Sequence, residues 1–171
     1  MFPRKIDSYL QVWKVKKERK PLVLRGARQV GKTSAVLLFG KNNFEQVVHI
    51  NLEKPEHARL FPDEVSLKEF ETIVNVAFGQ KIVLGKTLLF IDEIQEKPFL
   101  LKLLRFFFEE MPQLHVIAAG SLLEVKLKES GFTIPVGRVE FAYLYPLNFF
   151  EYLQATRQES LLSFLKKVSL D

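Results

Sequence analysis

The sequence contains no cysteine, and this absence excludes disulfide bonds and thiolate metal sites. No apolar run approaches the roughly 18 residues that a membrane-spanning helix needs, and residues 1–5 are not followed by the apolar segment of a signal peptide. Histidine is scarce, and the three histidines are scattered rather than grouped as metal ligands would be. We therefore expect a cytoplasmic protein that has no membrane partner.

Positive charge is concentrated at the amino end of the sequence. The first twenty residues carry the whole net charge of +5, and beyond them basic and acidic residues are equal in number. A basic segment of this kind attracts polyanions such as nucleic acid, but it is more often the solvated face of a helix. We expect residues 1–20 to form a basic helical arm that binds nucleic acid at most weakly and without sequence preference.

Short apolar runs alternate with longer amphipathic segments. Four runs are bounded by turn residues or charges and predict strands buried on both faces, at residues 21–26, 46–52, 86–92 and 114–120. Helix candidates lie between them, at residues 32–39, 66–78 and 98–110. Strands that alternate with helices predict an α/β fold, in which helices cover both faces of a mostly parallel sheet.

Local signals refine this pattern. Ser66 and Glu69 predict a capping box at the start of the second helix, and Pro98 suits the first turn of the third. Residues 55–63 have the composition of an irregular connection. Beyond Gly120 the pattern predicts a helix, a loop, a fifth strand and two further helices, at residues 121–128, 131–135, 138–147, 148–155 and 158–168.

Residues 26–33, GARQVGKT, match the P-loop pattern G-x-x-x-x-G-K-[ST] in full, between a predicted strand and a predicted helix. The two glycines let the backbone bend closely around phosphate, so that its N–H groups point inward. Lys32 reaches the β- and γ-phosphates at the positive end of the helix, and the Thr33 hydroxyl ligates Mg²⁺. The nucleotide-binding candidates are Gly26, Ala27, Arg28, Gln29, Val30, Gly31, Lys32, Thr33 and Ser34.

A pair of acidic residues further along the chain supports this interpretation. The run LLFIDE ends a predicted buried strand in Asp92 and Glu93. The carboxyl end of such a strand lies at the edge where α/β folds bind ligands. Asp92 is therefore the candidate for holding Mg²⁺, and Glu93 the candidate for polarising the water that attacks the γ-phosphate. The alternative is that both are solvated residues just past a strand.

Two further positions are catalytic candidates. Ser121 ends the run VIAAGS and is expected at the same edge, where it would orient the attacking water or contact the γ-phosphate; it is also a candidate helix N-cap. Arg138 follows Gly137 and opens the predicted fifth strand. An arginine there would supply charge to the transition state, in cis or from a neighbouring subunit, although a structural role is nearly as plausible. A role in trans implies self-association.

The segments LRGARQVGKTSAV, LLFIDEIQEKPFLLKLLRFF, VIAAGSLLE and VGRVEFAYLYPLNFFEYL resemble the ATPase core of a bacterial and archaeal AAA-type family, over residues 10–153. The resemblance implies a three-layer P-loop NTPase fold with a five-stranded sheet. It makes residues 26–33 the Walker A loop, Asp92 and Glu93 the Walker B pair, and Ser121 the sensor-1 position, and it places Arg138 in the family's Gly-Arg motif.

In that family a C-terminal domain with a nuclease-like fold usually follows the core, and it is absent from this sequence. We therefore expect an ATPase core at residues 21–156. Residues 157–171 would then be a C-terminal helix that begins a missing lid or second domain, which would be the natural neighbour of the core.

These features predict a Mg-dependent ATPase that couples ATP hydrolysis to a conformational change, with ATP and ADP as its ligands. The alternative is a nucleotide-dependent switch or nucleic-acid-binding module with little turnover. Glu93 discriminates between the two, because a site that only binds ATP needs no carboxylate next to the water. A kinase for a small substrate shares the loop, but the Asp92–Glu93 pair and Ser121 favour hydrolysis.

Overall fold

A computed structural model describes residues 4–121, 123, 135 and 137–167, with residue 166 described only in its backbone. Its strands are β1 (Leu22–Arg25), β2 (Gln46–Asn51), β3 (Thr87–Asp92), β4 (His115–Gly120) and β5 (Glu140–Tyr143). Its α-helices are α1 (Lys5–Lys14), α2 (Lys32–Asn43), α3 (Pro55–Ala58), α4 (Leu67–Phe78), α5 (Leu100–Glu110), α6 (Phe149–Ala155) and α7 (Glu159–Lys167), and a short 3-10 helix spans Ile94–Glu96. None of these helices is long and apolar enough to cross a membrane.

The strands form one sheet in the order β2-β3-β4-β1-β5, and every neighbouring pair is parallel. All six residues of β3 and all six of β4 are buried, as expected for central strands covered on both faces. The prediction of an α/β fold with a five-stranded sheet is confirmed. Because the strands are parallel, their carboxyl ends all lie at one edge of the sheet.

Two apolar clusters hold the three layers together. On one face, helices α1 and α2 pack against alternate strand residues through Leu10, Trp13 and Phe39. On the other face, helices α4 and α5 cover the sheet through Phe70 and Phe107. Burial of each such aromatic or aliphatic side chain contributes roughly 1.5–3 kcal/mol relative to exposure.

The basic segment at the amino end contains helix α1, and this helix is part of the core. Leu10 and Trp13 are fully buried. The Trp13 indole N–H donates to the Lys20 carbonyl at 2.9 Å, and the Arg19 guanidinium donates to the Lys14 carbonyl at 3.1 Å. Helix α1 is therefore amphipathic, and its apolar side covers the sheet.

Helix α2 is longer than predicted, since it continues past Phe39 to Asn43. Gly40 lies inside the helix, where it allows close packing. A Cβ at Gly40 would lie 2.6 Å from Val47 Cγ2 and 2.9 Å from Leu88 Cδ2. The glycine thus lets α2 lie directly against β2 and β3.

Other boundaries also differ from the predictions. Pro98 lies in a turn before α5, and its carbonyl accepts the Leu101 N–H. Because α5 begins at Leu100, Pro98 is not in the first helical turn. Residues 55–63 contain the short helix α3. The fifth strand is shorter than residues 138–147, because residues 137–138 form a turn before it.

The predicted capping box at Ser66 is confirmed. The helix predicted at 121–128 and the loop predicted at 131–135 lie almost wholly outside the described residues.

Candidate functional site

The candidate site lies at the carboxyl edge of the sheet, where three central strands end. The loop of residues 26–31, here called the glycine loop, joins β1 to α2. Asp92 ends β3 and Glu93 follows it, while Ser121 follows β4. In the order β3-β4-β1 these three strands are adjacent, so the sheet itself brings the acidic pair and Ser121 next to the loop.

The glycine loop has a backbone that ordinary residues adopt only at a cost. Gly26 has a φ of 147°, and a Cβ there would lie 2.2 Å from the Leu144 carbonyl oxygen. Gly31 has a φ of 94° and caps helix α2, and Gln29 has a positive φ of 62° although it carries a side chain. Strained backbone of this kind collects at ligand-binding loops.

Lys32 is the first residue of α2, and its side chain folds back over the glycine loop. Its ammonium donates to the carbonyls of Gly26 at 2.9 Å and Ala27 at 2.7 Å, and the residue is only 5% exposed. Burial lowers the pKa of Lys32, while the negative charges of Glu93 and Asp92 act in the opposite direction. A buried cation thus lies directly against the loop, with two carboxylates nearby.

Thr33 and Asp92 meet between α2 and β3. The Thr33 hydroxyl donates to Asp92 Oδ2 at 2.7 Å, and Asp92 is 1% exposed. His49 Nε2, from β2, lies 3.6 Å from the same carboxylate oxygen, and its ring stacks on Phe90. A hydroxyl and a carboxylate therefore converge at one point beside Lys32.

Glu93 follows Asp92 in a left-handed backbone conformation with a φ of 52°. Its N–H donates to Asp92 Oδ1 at 3.2 Å. Its Oε2 accepts hydrogen bonds from the Gln95 side-chain amide and, at 3.4 Å, from the Ser121 hydroxyl. The turn therefore directs the Glu93 carboxylate away from the strand axis and toward Ser121.

The outer part of the glycine loop is open to solvent. The loop residues Ala27, Arg28 and Gln29 are exposed, and so is Ser34 in helix α2. Val30 is half-buried. Its carbonyl accepts a 2.7 Å hydrogen bond from the guanidinium of Arg4. The loop therefore combines an accessible outer surface with a fixed inner anchor.

A family model described as an AAA domain matches residues 18–153, most of the chain. The chain belongs to the AAA domain family. No curated protein matches the sequence.

A solved structure of PCH-2 from C. elegans matches this AAA domain with a TM-score of 0.50 and 17% sequence identity. The match covers 92% of this chain and 45% of PCH-2, so the chain corresponds to less than half of that protein. At this identity the likeness shows the fold alone, a helix-flanked α/β sheet.

The AAA domain brings together most of the residues that the sequence predicts for the site. The glycine loop, Lys32, Thr33, Asp92, Glu93 and Ser121 share the carboxyl edge of the sheet, as described above. Arg138 does not join them. It precedes β5, at the opposite edge of the parallel sheet, and its Nε donates to Glu109 Oε1 at 2.7 Å.

Three residues near the AAA site were not predicted from the sequence. Gln95 lies two positions beyond Glu93, so the local motif DEIQ was the signal that could have found it. His49 offered only its place near the end of a predicted strand. Arg4 had no local signal, because its partner Val30 lies 26 positions away.

A cavity of about 330 Å³ opens beside the glycine loop, between the ends of β4, β1 and β5. Its lining includes Gly26, Ala27, Ser121, Leu144 and Pro146. The site is thus flanked by open volume on its β5 side. In the described part of the chain no group of three or more His, Asp or Glu side chains could hold a metal through protein ligands alone.

Proposed function

We propose that this AAA domain binds and hydrolyses ATP with Mg²⁺ and couples the reaction to a conformational change. The observation that carries the proposal is the convergence of Lys32, the Thr33–Asp92 pair and Glu93 beside the glycine loop, whose outer residues are exposed. Each of these groups has a separate task in phosphoryl transfer to water, which depends mostly on positioning and charge stabilisation.

Binding of the phosphates rests on the loop and on Lys32. Backbone N–H groups of the loop and the N-terminal end of α2 favour an anion. The Lys32 ammonium is held by two carbonyl oxygens. Phosphate oxygens carry more negative charge than carbonyl oxygens, so they are the better acceptors for this cation.

Thr33 and Asp92 fit a magnesium ion. Mg²⁺ prefers oxygen ligands and keeps several water molecules, so one hydroxyl and one or two carboxylate oxygens suffice from the protein. The 2.7 Å hydrogen bond shows that the Thr33 and Asp92 oxygens already face each other. When bound, the ion would neutralise charge on the phosphate oxygens.

Glu93 is the base in this proposal, and Ser121 assists it. A general base must lie within hydrogen-bonding reach of the water whose proton it takes. Glu93 emerges from a turn beside the loop, and the Ser121 hydroxyl lies 3.4 Å from its carboxylate. A pure nucleotide switch would need neither group, which favours turnover over binding alone.

Arg4 supports the coupling to a conformational change. Its guanidinium donates to the carbonyls of Val30 in the glycine loop and of Tyr145 beyond β5, each at 2.7 Å. The same guanidinium pairs with Glu151 in α6 at 3.5 Å. Movement of the loop on binding nucleotide would therefore reach α6 and whatever domain or second copy contacts it.

The test is the release of phosphate from Mg-ATP, together with ATP-dependent thermal stabilisation. Lys32→Ala should abolish the rise in Tm that ATP produces in the parent protein, because ligands that bind only the folded state stabilise it. Lys41→Ala, which removes an exposed lysine from the same helix, is the matched control.

Glu93→Gln should keep the ATP-dependent rise in Tm but lower turnover about 10²-fold or more. Glu110→Gln, a change at an exposed glutamate, should leave both unchanged. Turnover by Glu93→Gln equal to that of the parent would remove Glu93 from the mechanism and favour the nucleotide switch.

A further inference from the structure

We propose that Gln95 is a positioning residue for the reaction, which fixes the Glu93 carboxylate so that one of its oxygens faces the attacking water. The inference rests on the proposed ATP hydrolysis. Gln95 lies in the short 3-10 helix after β3, and its side-chain amide donates to Glu93 Oε2. Ser121 donates to the same oxygen.

The two carboxylate oxygens of Glu93 differ in their hydrogen bonds. Oε2 accepts from Gln95 and Ser121, whereas Oε1 has no hydrogen-bond partner in the part of the chain that the structure describes. Oε1 is thus the oxygen left to accept a proton from water. A carboxylate on a flexible side chain would otherwise sample several rotamers, and misplacement by about 1 Å can cost roughly 10²-fold in rate.

Gln95 is itself buried. The residue is 3% exposed, so its amide cannot exchange its carboxylate partner for bulk water. Its Oε1 is buried and lacks a hydrogen-bond partner among the described residues. A buried acceptor without a partner destabilises a fold, so stability alone would favour an apolar side chain at this position. The hydrogen bond that the glutamine donates to Glu93 gives the polar side chain a role that an apolar one could not fill.

Gly120 makes room for this amide. A Cβ at Gly120 would lie 2.4 Å from Gln95 Oε1, well inside van der Waals contact. Gly120 is the last residue of β4 and precedes Ser121 directly. The absence of a side chain at the end of β4 therefore creates the niche from which Gln95 reaches Glu93.

The first experiment replaces Gln95 with leucine, which has a similar volume and no polar atoms. Gln95→Leu should lower kcat roughly 10- to 100-fold while KM for ATP and the ATP-dependent rise in Tm stay within about twofold of the parent. Its own Tm should not fall, because the buried acceptor is removed together with the donor. Gln113→Leu, the same change at an exposed position before β4, is the matched control.

The second experiment perturbs the niche instead of the amide. Gly120→Ala should displace Gln95 and lower kcat to a similar extent. In a Gln95→Ala background the added methyl group meets no amide, so Gly120→Ala should then have little further effect. Equal and independent effects of Gly120→Ala in both backgrounds would show that the glycine acts without Gln95.

A third measurement does not depend on turnover. The Gln95 side-chain amide protons, assigned in ¹⁵N-labelled protein by their loss in Gln95→Leu, should exchange slowly and shift in Glu93→Ala. If the parent hydrolyses ATP and Gln95→Leu matches it in kcat, the positioning role is wrong while the proposed function stands. If the parent shows no turnover that Lys32→Ala removes, the proposed function fails and the role of Gln95 fails with it.

Discussion

Arg4 and Glu151 form a buried ion pair, with 3.5 Å between Nη2 and Oε2 and side chains 7% and 9% exposed. The pair joins the start of helix α1 to the first turn of α6. Glu151 also accepts from the backbone N–H groups of Lys5 at 3.0 Å and Asn148 at 3.1 Å. Because Arg4 also donates to the Val30 carbonyl, one guanidinium joins the glycine loop, helix α1 and helix α6.

Removal of one partner should therefore destabilise the fold strongly. Arg4→Met should lower the free energy of unfolding by about 3–5 kcal/mol, since it leaves a buried carboxylate without its cation. Urea titration measures the change, and Lys17→Met, at an exposed position in the same basic segment, should have little effect. An Arg4→Met protein as stable as Lys17→Met would show that the pair contributes nothing.

Asp92→Asn should raise the Mg²⁺ concentration needed for ATP-dependent stabilisation roughly tenfold or more, because the change removes a charged oxygen next to Thr33. Tm measured with fixed ATP and increasing Mg²⁺ gives the midpoint. Asp63→Asn, a change at a carboxylate that is 89% exposed, is the control. An unchanged midpoint in Asp92→Asn would place the metal elsewhere.

Arg138 should have no effect on turnover by a single copy. Its position at the amino edge of the sheet, paired with Glu109, separates it from the glycine loop of the same chain. We expect Arg138→Ala to match the parent in dilute solution. If Arg138 acts in trans, the specific activity of the parent should increase with protein concentration, and Arg138→Ala should remove only this increase.

Mixing variants tests this role directly. A Lys32→Ala protein should stimulate the parent if Arg138 acts in trans, and a Lys32→Ala, Arg138→Ala protein should not. A fall in turnover of dilute Arg138→Ala would contradict the separation seen in the structure.

His115 should make the fold less stable in mild acid. It is buried against Trp13 and Phe44, and burial, together with the charge of Arg19, lowers its pKa to about 4. The unfolded chain has a histidine pKa near 6.5 and binds more protons than the folded state between these values. The stability that neutral His115 contributes is complete above about pH 6.5 and is lost as the pH falls toward 4.

The loss should be about 2–3 kcal/mol across that range. His115→Phe should show a smaller fall in the free energy of unfolding between pH 7 and pH 4.5, measured by urea titration at each pH. Parallel pH profiles for parent and variant would mean that the pKa of His115 is the same in the folded and unfolded states.

The basic segment should bind nucleic acid only weakly. Arg4 and Arg19 donate to backbone carbonyls, and Lys16 pairs with Glu140 at 2.6 Å, so part of the positive charge is already used inside the fold. Binding to single- or double-stranded DNA should fall steeply with salt, as for phosphate contacts alone. A salt-resistant, sequence-selective complex would reveal a recognition surface of another kind.

The candidate site was predictable because its parts are local in sequence. The pattern from Gly26 to Thr33 carries its own strand and helix context, and a buried run that ends in Asp92 and Glu93 places both at the carboxyl edge. The position of Arg138 could also have been deduced, since a residue that precedes a parallel strand lies at the amino edge. Local patterns could not predict the role of Arg4, because its contacts join distant parts of the chain. They could not predict the role of Gly40 either, because its packing depends on β2 and β3.

Lys32 already has two acceptors in this structure, the carbonyl oxygens of Gly26 and Ala27. A nucleotide that enters the site would therefore replace these carbonyl oxygens as acceptors, and the number of hydrogen bonds that Lys32 donates would change little. The free energy gained depends on how much more negative the incoming oxygens are than a peptide carbonyl. A monovalent anion such as acetate brings a single negative charge to this exchange, whereas a polyphosphate brings several charged oxygens at once. We therefore expect the folded-back lysine to favour polyphosphates over small monovalent anions.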